Sequence, residues 1–424
     1  MIYFREKFIR MKKVIIALVL FPGFIFSQFT RIPDSNFEQQ LINLGYDDML
    51  DGGVLTADII NVQQLNVSNS NISDITGIAD FISLENLNCM NNDLTSLPIN
   101  DNVNLEVLNC YGNQLNSLNF SNHSVLKFIN CGSNVLLTVD VRQNTLLEEL
   151  YCSNNILYGL DLSSNINLEI LHCNENVITS LDLSANSSLT NLQCEQNLLI
   201  DLDLSANVDL ESISCASNQL TTIDLFYNVN VSNLNFSSNF VTTADFTKNS
   251  MLEILNCSSN RMTQIDVSVN TNLRGIDCSS NGLKCLNVKN SNNANFIFFE
   301  ASSNKDLQCL DVDDELLAAA NWSNNVDPGV VFSTFCATPC SASLLDVDEN
   351  EMSFNVYPNP TNNTINLSSS QIIHAIYVEL FDCFGRLVMT SNSSQINLGS
   401  LSQGTYFLVA NVNGKMLNSR VVKQ

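Results

Sequence analysis

The sequence predicts a curved parallel β-solenoid of about twelve turns, each 21–22 residues long, followed by a small antiparallel β-sandwich. Three observations carry this prediction: a sustained internal period, the placement of apolar residues within it, and a change of composition near residue 353. "LEILNCSSN" at 252 has close copies in "LEVLNCYGN" at 105, "LEELYCSNN" at 147, "LEILHCNEN" at 168 and "LTNLQCEQN" at 189. The central residues of the copies are Val67, Cys89, Cys110, Cys131, Cys152, Cys173, Cys194, Cys215, Phe236, Cys257, Cys278 and Ala301; the first step is 22 residues, the next nine are 21 and the last is 23. In "LNC" the Leu and Cys are two apart and share one face of a short strand. Strands stacked at about 4.8 Å give twelve copies a length on the order of 55 Å. No single copy buries its own apolar face, so neighbours stabilise one another.

Around each anchor the copies read L-x-x-L-x-C-x-x-N-x-L, mostly followed by a second block such as "LDLSAN". This resembles the leucine-rich repeat family, with Cys where Leu usually stands, over about 250 residues that we assign to 62–312. The anchors lacking Cys hold Val67, Phe236 and Ala301, which is the substitution pattern of a core site. In-register strands hold neighbouring Cβ atoms about 4.8 Å apart, beyond ordinary disulfide reach. The nine anchor cysteines are therefore expected to be reduced, buried thiols that pack as small hydrophobes. The Asn three residues after each anchor (Asn92, Asn113, Asn134, Asn155, Asn176, Asn197, Asn218, Asn239, Asn260, Asn281, Asn304) is expected to satisfy backbone groups of its turn and of the next copy. The second block repeats Asp at 140, 161, 182, 203, 224, 245 and 266. We read this as a solvent-facing stripe on the convex side, with raised pKa values and calcium bridging left open.

Solenoid ends need covering. Residues 28–61 hold a helical stretch, Phe37 to Leu44, and then an acidic Gly turn; they resemble the amino-terminal cap of secreted bacterial leucine-rich proteins. Asp47, Asp51 and Asp58 fall at positions 1, 5 and 12 of a degenerate EF-hand-like loop, with Met49 at position 3. A plain turn is the better reading, and calcium is the one cofactor the sequence leaves open. Residues 313–340 complete a stretch, "CLDVDDELLAAANWSNNVDPGVVFSTFC", that resembles the family's carboxy-terminal cap. Cys285, Cys309, Cys336 and Cys340 break the phase of the array and are disulfide candidates with three pairings open. Of these, Cys309–Cys336 would staple the cap to the last repeat, leaving Cys285–Cys340.

Charge bounds the partners. There are 18 Lys+Arg against 43 Asp+Glu, a net charge of −25. Such a surface repels nucleic acid and anionic membranes. Residues 1–27 read as a secretory signal peptide: bases at Arg5, Lys7, Arg10, Lys12 and Lys13, the apolar run "VIIALVLFPGFIF", then Ser27.

After an acidic linker, 341–352, the segment 353–424 alternates apolar residues with Gly and Asn-Pro turns, the signature of a small antiparallel β-sandwich. Its blocks "VYPNPT", "GRLV" and "GTYFL", with a terminal Lys, resemble the carboxy-terminal sorting domain of type IX (Por) secretion cargo. The resemblance assigns the secretion signal to Tyr357, Pro358, Asn359, Pro360, Gly385, Arg386, Gly404, Tyr406 and Lys423. It implies the type IX machinery as a partner, then removal of the domain, with attachment of the cargo to surface lipopolysaccharide or its release. Cys383 is expected to be buried there.

No enzyme motif is present. Three histidines, His123, His172 and His374, are scattered over two domains, and no nucleophile elbow, phosphate loop or zinc-type pair occurs. Positions −3, −1 and +1 from each anchor are expected to point away from the core on the concave face. From Ser212 to Ser279 these are mostly Ser, Asn and Ala. From Cys110 to Cys194 they include Val107, Tyr111, Phe128, Glu149, Tyr151, Ile170, His172, Gln193 and Glu195, the composition of an extracellular protein- or glycan-binding surface. Adhesion or recognition through that face is the function expected. A structural surface or biofilm component and a polysaccharide-handling accessory protein are the alternatives.

Overall fold

The computed structural model describes residues 29–337, 340, 354–369, 376–382, 386–412 and 415–424. The signal segment 1–27, the linker 341–352, His374, Cys383 and Gly385 lie outside them. The chain divides into two compact units, with the boundary between Cys340 and Ser341.

The first unit opens with β1 (Phe29–Arg31) paired antiparallel to β2 (Gly53–Leu55). Between them lies α1 (Ser35–Asn43), whose start is fixed by the Asp34 carboxylate accepting from the backbone N–H groups of Asn36 and Phe37. The same carboxylate accepts from Ser73 and from the Asp74 N–H, joining the cap to the first repeat. Burial raises its pKa, but these bonds outweigh that and hold it below the ordinary value. A short helix, α2 (Thr56–Ile59), leads into the array.

The array then runs through β3 (Gln64–Asn66), β4 (Asn86–Asn88), β5 (Val107–Asn109), β6 (Phe128–Asn130), β7 (Glu149–Tyr151), β8 (Ile170–His172), β9 (Asn191–Gln193), β10 (Ser212–Ser214), β11 (Asn233–Asn235) and β12 (Ile254–Asn256). Two further copies add β14 (Gly275–Asp277) and β16 (Phe298–Glu300), completing a parallel sheet of twelve strands in sequence order. This is the predicted repeat solenoid, one strand per copy. In the last copies the second block also forms strands, β13 (Gln264–Asp266), β15 (Cys285–Asn287) and β17 (Cys309–Asp311), which with β18 (Val331–Ser333) of the cap make a separate four-stranded parallel sheet. A helix, α3 (Glu315–Trp322), covers the end. Its Trp322 stacks on Phe299, with ring centroids 4.3 Å apart.

Each strand of the array buries its middle residue, and the anchor that follows is also buried. The nine anchor cysteines are free, with their side chains wholly inside the core. Burial pushes their thiols up, to about 12 at Cys89, Cys131, Cys173 and Cys215. Native protein at neutral pH is therefore expected to leave all nine sites unmodified by a maleimide, with labelling only after denaturation. Mass mapping of labelled peptides checks this, and rapid native labelling at any anchor would contradict it.

Two columns of asparagine close the copies. The column three residues after the anchor bonds mainly to the preceding copy, not the next one. For example, Asn113 Nδ2 donates to the carbonyls of Cys110 and Cys89, and its Oδ1 accepts from Leu94 N. The reason is geometric: the side chain turns back across the strand face, while the backbone N–H at this position reaches the following copy. A second column, not anticipated from the sequence, runs through Asn102, Asn144, Asn165, Asn186, Asn207, Asn228, Asn249 and Asn270 at the far end of each coil, all buried. Each donates its amide to two backbone carbonyls of preceding copies, as Asn165 does to Val141 and Asn144. His123 takes the same place in its copy, with Nε2 at 2.9 Å from the Ile99 carbonyl.

The Asp stripe differs from one open expectation. Asp161, Asp182 and Asp203 each accept from the hydroxyl and backbone N–H of the Ser two residues on, which lowers their pKa values. Asp140, paired with Arg142, falls to about 2. Hydrogen bonds to the charged form outweigh repulsion between neighbouring copies.

The second unit consists of two antiparallel sheets. One holds β19 (Phe354–Tyr357), β20 (Thr364–Ser369) and β23 (Gln395–Asn397). The other holds β21 (Ile376–Phe381), β22 (Leu387–Ser391), β24 (Gly404–Val412) and β25 (Lys415–Lys423). Ile365, Leu367 and Ile396 of the first sheet and Val378, Leu380, Leu408 and Val421 of the second share one core, which makes the sandwich.

Candidate functional site

The outward face of the twelve-stranded sheet follows from period-two alternation. In β5 to β8 the middle residue is buried and the two flanking it are half-buried, so positions −3 and −1 line one surface, joined by +1 just past the strand. In-register pairing sets Phe128, Glu149, Ile170 and Asn191 in one row across the strands, and Asn130, Tyr151, His172 and Gln193 in the next.

Tyr151 sits at the centre of this face. Its ring meets Phe128 at 5.4 Å and takes His172 edge-on at 4.7 Å, and its hydroxyl donates to Glu149 Oε2 at 2.7 Å. Burial and the Glu149 charge together push the phenol up to about 12, so it remains a neutral donor. Burial holds the His172 imidazole below its usual value, although Asn191 and Glu149 pull the other way. Burial raises the Glu195 carboxyl, and Glu175 adds to the shift. His172 Nε2, Asn191 Oδ1 and Glu195 Oε2 are buried atoms whose neighbours within the protein, Asn191 for His172 and Ser214 for Glu195, fall short of a well-formed hydrogen bond. Three polar atoms left without a well-formed bond on two adjacent copies make this the part of the face with the most hydrogen-bonding capacity to offer. Asn191 was not singled out from the sequence, although its −3 register position points to it.

Val107 lies beside Phe128 in the same row. Tyr111 is exposed, and its ring leans over Gly132, where an added Cβ would come within 3.1 Å of Tyr111 Cδ2. Gly132 therefore lets the aromatic surface continue onto the next copy. The nine residues picked out from the sequence thus form one continuous strip over five copies.

The acidic turn of the amino-terminal cap is organised from within. The buried Glu38 carboxylate accepts from the backbone N–H groups of Asp51, Gly52 and Gly53 at 2.8, 2.6 and 3.0 Å. Asp51 and Asp58 are exposed, and Asp47 is partly buried. Burial, with Glu38, Asp51 and Asp48 nearby, raises the Asp47 carboxyl. Among the described residues no group of three or more His, Cys, Asp or Glu side chains is gathered to hold a metal ion.

The two cap bridges are Cys309–Cys336 and Cys285–Cys340, with Cα–Cα distances of 5.8 and 5.3 Å. In the second unit the residues assigned to the secretion signal converge from both ends of the segment. The Asn359 side chain donates to the Arg420 carbonyl and accepts from Val422 N, and the backbone of Thr361 pairs with that of Val422. The peptide bonds before Pro358 and Pro360 are cis, and Tyr357, Pro358 and Pro360 are exposed. Gly404 opens β24 opposite Lys423. The Tyr406 hydroxyl donates to the Ser402 carbonyl, and the buried Lys423 Nζ donates to the carbonyls of Leu398 and Leu401. Arg386 pairs with Asp382 at 2.7 Å. Among the described residues no helix is long and apolar enough to cross a membrane.

Comparison with known proteins agrees with both units. Residues 355–424 match the secretion system C-terminal sorting domain, which indicates export by type IX secretion to the cell surface or the medium. The solenoid is similar in fold to the functional domain of InlJ from Listeria monocytogenes, a structure that includes a cysteine ladder. That similarity has a TM-score of 0.56 and 22% identity, covering 94% of this chain and 98% of that one. An internalin, InlF, also from Listeria monocytogenes, is similar with a TM-score of 0.55 and 17% identity, over 72% of this chain and 96% of that one. No curated protein matches the sequence.

Proposed function

We propose that this chain, exported by type IX secretion and built on a leucine-rich repeat solenoid, is a non-catalytic recognition protein that binds an extracellular protein or glycan through its concave sheet face. The observation that carries the reading is the cluster around Tyr151. Aromatic rings from adjacent strands stand beside incompletely bonded polar atoms of His172, Asn191 and Glu195. The corresponding positions in later copies are Ser212, Ser214, Asn233 and Asn235. The repeat does not need aromatic residues on this face, since the four copies anchored at Cys215, Phe236, Cys257 and Cys278 fold without them, and the next aromatic side chain in the row is Phe298 of the last copy. Tyr, His and carboxylate groups with an apolar body and a polar tip suit a surface that must be wet when free and buried when bound.

Adhesion at the cell surface follows from this reading, as does display through lipopolysaccharide after removal of the sorting domain. The solenoid without residues 353–424, probed on glycan and protein arrays, identifies the ligand class. Replacing Tyr111, Phe128 and Tyr151 together with Ala is expected to weaken that binding by roughly tenfold or more. Equal binding by the variant would move the site off this face.

A further inference from the structure

A second surface lies on the flank of the coil, just past the asparagine turn. Four and six residues after the anchor, four successive copies carry Val135 and Leu137, Ile156 and Tyr158, Val177 and Thr179, and Leu198 and Ile200. The seven apolar members are between 42% and 66% exposed. They form a continuous stripe, because each of these copies bonds to the one before it at this point. Ile156 N donates to the Leu136 carbonyl, Val177 N to Leu157 and Leu198 N to Ile178. The coil does not require apolar residues here. The same positions hold Asp93 and Thr95, then Gln114 and Asn116, in the copies before the stripe, and Gln219 and Thr221 in the copy after it. A cluster of this kind, continuous over four copies and rimmed by polar residues, with one polar copy separating it from Phe240 in the same column, has the form of a protein-binding patch.

The rim defines the partner. The Asp row lies three residues beyond the second column of the stripe: Leu137, Tyr158, Thr179 and Ile200 are followed by Asp140, Asp161, Asp182 and Asp203, all exposed, and the in-register stacking of the copies carries the two columns alongside each other. Asp140 is paired with Arg142, but Asp161, Asp182 and Asp203 make no ion pair among the described residues and are held in the charged form by their serines. Neighbouring copies stand about 4.8 Å apart, nearer to the 5.4 Å turn of an α-helix than to the ~6.8 Å apolar period of an extended strand. A second copy of this chain, with net charge −25, would bring more acid against the same row.

We propose that this flank docks an amphipathic helix of a partner protein whose apolar stripe is bordered on one side by Lys or Arg. The site is separate from the concave face and draws on the same central copies, so one partner is held from two directions or two partners are held together.

The test uses the full chain and fluorescent synthetic peptides of about four helical turns. One is a Leu/Lys peptide with helical apolar spacing, one is its Leu/Glu counterpart, and one has the Leu/Lys composition in strict alternation. The helical Leu/Lys peptide is expected to bind. Ile156→Ser, Val177→Thr and Leu198→Ser together should weaken it by roughly tenfold or more without changing charge or fold. The Tyr111, Phe128 and Tyr151 variant should bind it normally, which separates this site from the concave face. Undiminished binding to the stripe variant, or equal binding of the Leu/Glu or alternating peptide, overturns the proposal. So does sedimentation of the native chain as a dimer that the stripe substitutions dissociate.

Discussion

Asn176→Ala is expected to destabilise the solenoid by about 3 kcal/mol, more than Asn186→Ala in the same copy, although Asn186 is the more deeply buried of the two. The difference lies in what each removal leaves behind. Asn176 Oδ1 is the acceptor for Leu157 N at 3.0 Å, and its amide donates to the carbonyls of Cys152, Cys173 and Asn174 at 3.1, 3.0 and 3.2 Å. The Cys152 and Cys173 carbonyls keep a second donor, from Asn155 and Asn197 respectively. Leu157 N is left as a buried donor without an acceptor, which costs about 1–3 kcal/mol beyond the bonds lost. Asn186 donates to the Leu162 and Asn165 carbonyls, but its Oδ1 has no protein donor. Its removal deletes two bonds and one unpaired acceptor together, for a net cost of about 1 kcal/mol. Urea unfolding of both variants checks the order. Asn176→Asp supplies a second check. At neutral pH its carboxylate faces the carbonyls that the amide satisfied, so it should be at least as damaging as Ala; protonation at low pH restores a donor and should recover part of the loss. A larger loss for Asn186→Ala would mean that depth of burial, not the pairing of each atom, sets the cost.

The fold is legible in the sequence because the repeat states the same information many times over. A 21-residue period with Leu and Cys two apart requires a stacked strand whose inward face is fixed, and Leu150, Cys152, Leu171 and Cys173 are all inside. Outward positions follow by alternation, which is why the spacing alone assigns Tyr111, Phe128, Tyr151 and His172 to one face. Relations between copies are not legible. "LDLSAN" reads as a polar turn, and only the stacking of neighbours reveals that Asn186 is buried against the carbonyls of the copy before it. The Asp stripe looks self-repelling because the sequence shows the charges but not the serine and backbone donors that hold each one. The flank stripe escapes notice for a related reason. Val135 and Ile156 occupy positions the repeat leaves free, and their exposure is set by the neighbouring coil. The candidate site is half visible: its residues can be named, but the Tyr151–Glu149 bond, the opening provided by Gly132 and the involvement of Asn191 depend on register and rotamer.

Loss of both disulfides is expected to fray the carboxy-terminal end of the array while leaving its middle intact. The bridges close nested loops, 27 residues for Cys309–Cys336 inside 55 for Cys285–Cys340. Chain-entropy arithmetic assigns about 3.5 kcal/mol to the inner loop and about 4 to the outer one taken alone. With the inner bridge present the outer loop is effectively shortened, so removing the outer pair from the native protein should cost about as much as removing the inner one. The effect should stay local. Cys285 and Cys309 begin β15 and β17 of the four-stranded sheet, and Cys336 N donates to Asp311 in the same sheet, so the bridges fasten the final copies and α3. In a solenoid each copy contacts only its neighbours, and an opened end exposes the next apolar face without unfolding the copies beyond it. Mild reductant is expected to act on these two bridges alone among the described cysteines, since the nine anchor thiols are already reduced and buried. Hydrogen exchange on the Cys285→Ala, Cys309→Ala, Cys336→Ala and Cys340→Ala variant should show protection lost from about residue 264 to 336 and retained from β5 to β10. Uniform loss across the array would mean that the copies unfold as one unit, and unchanged protection at the end would mean that helix α3 and the Trp322–Phe299 stack hold the cap without covalent help.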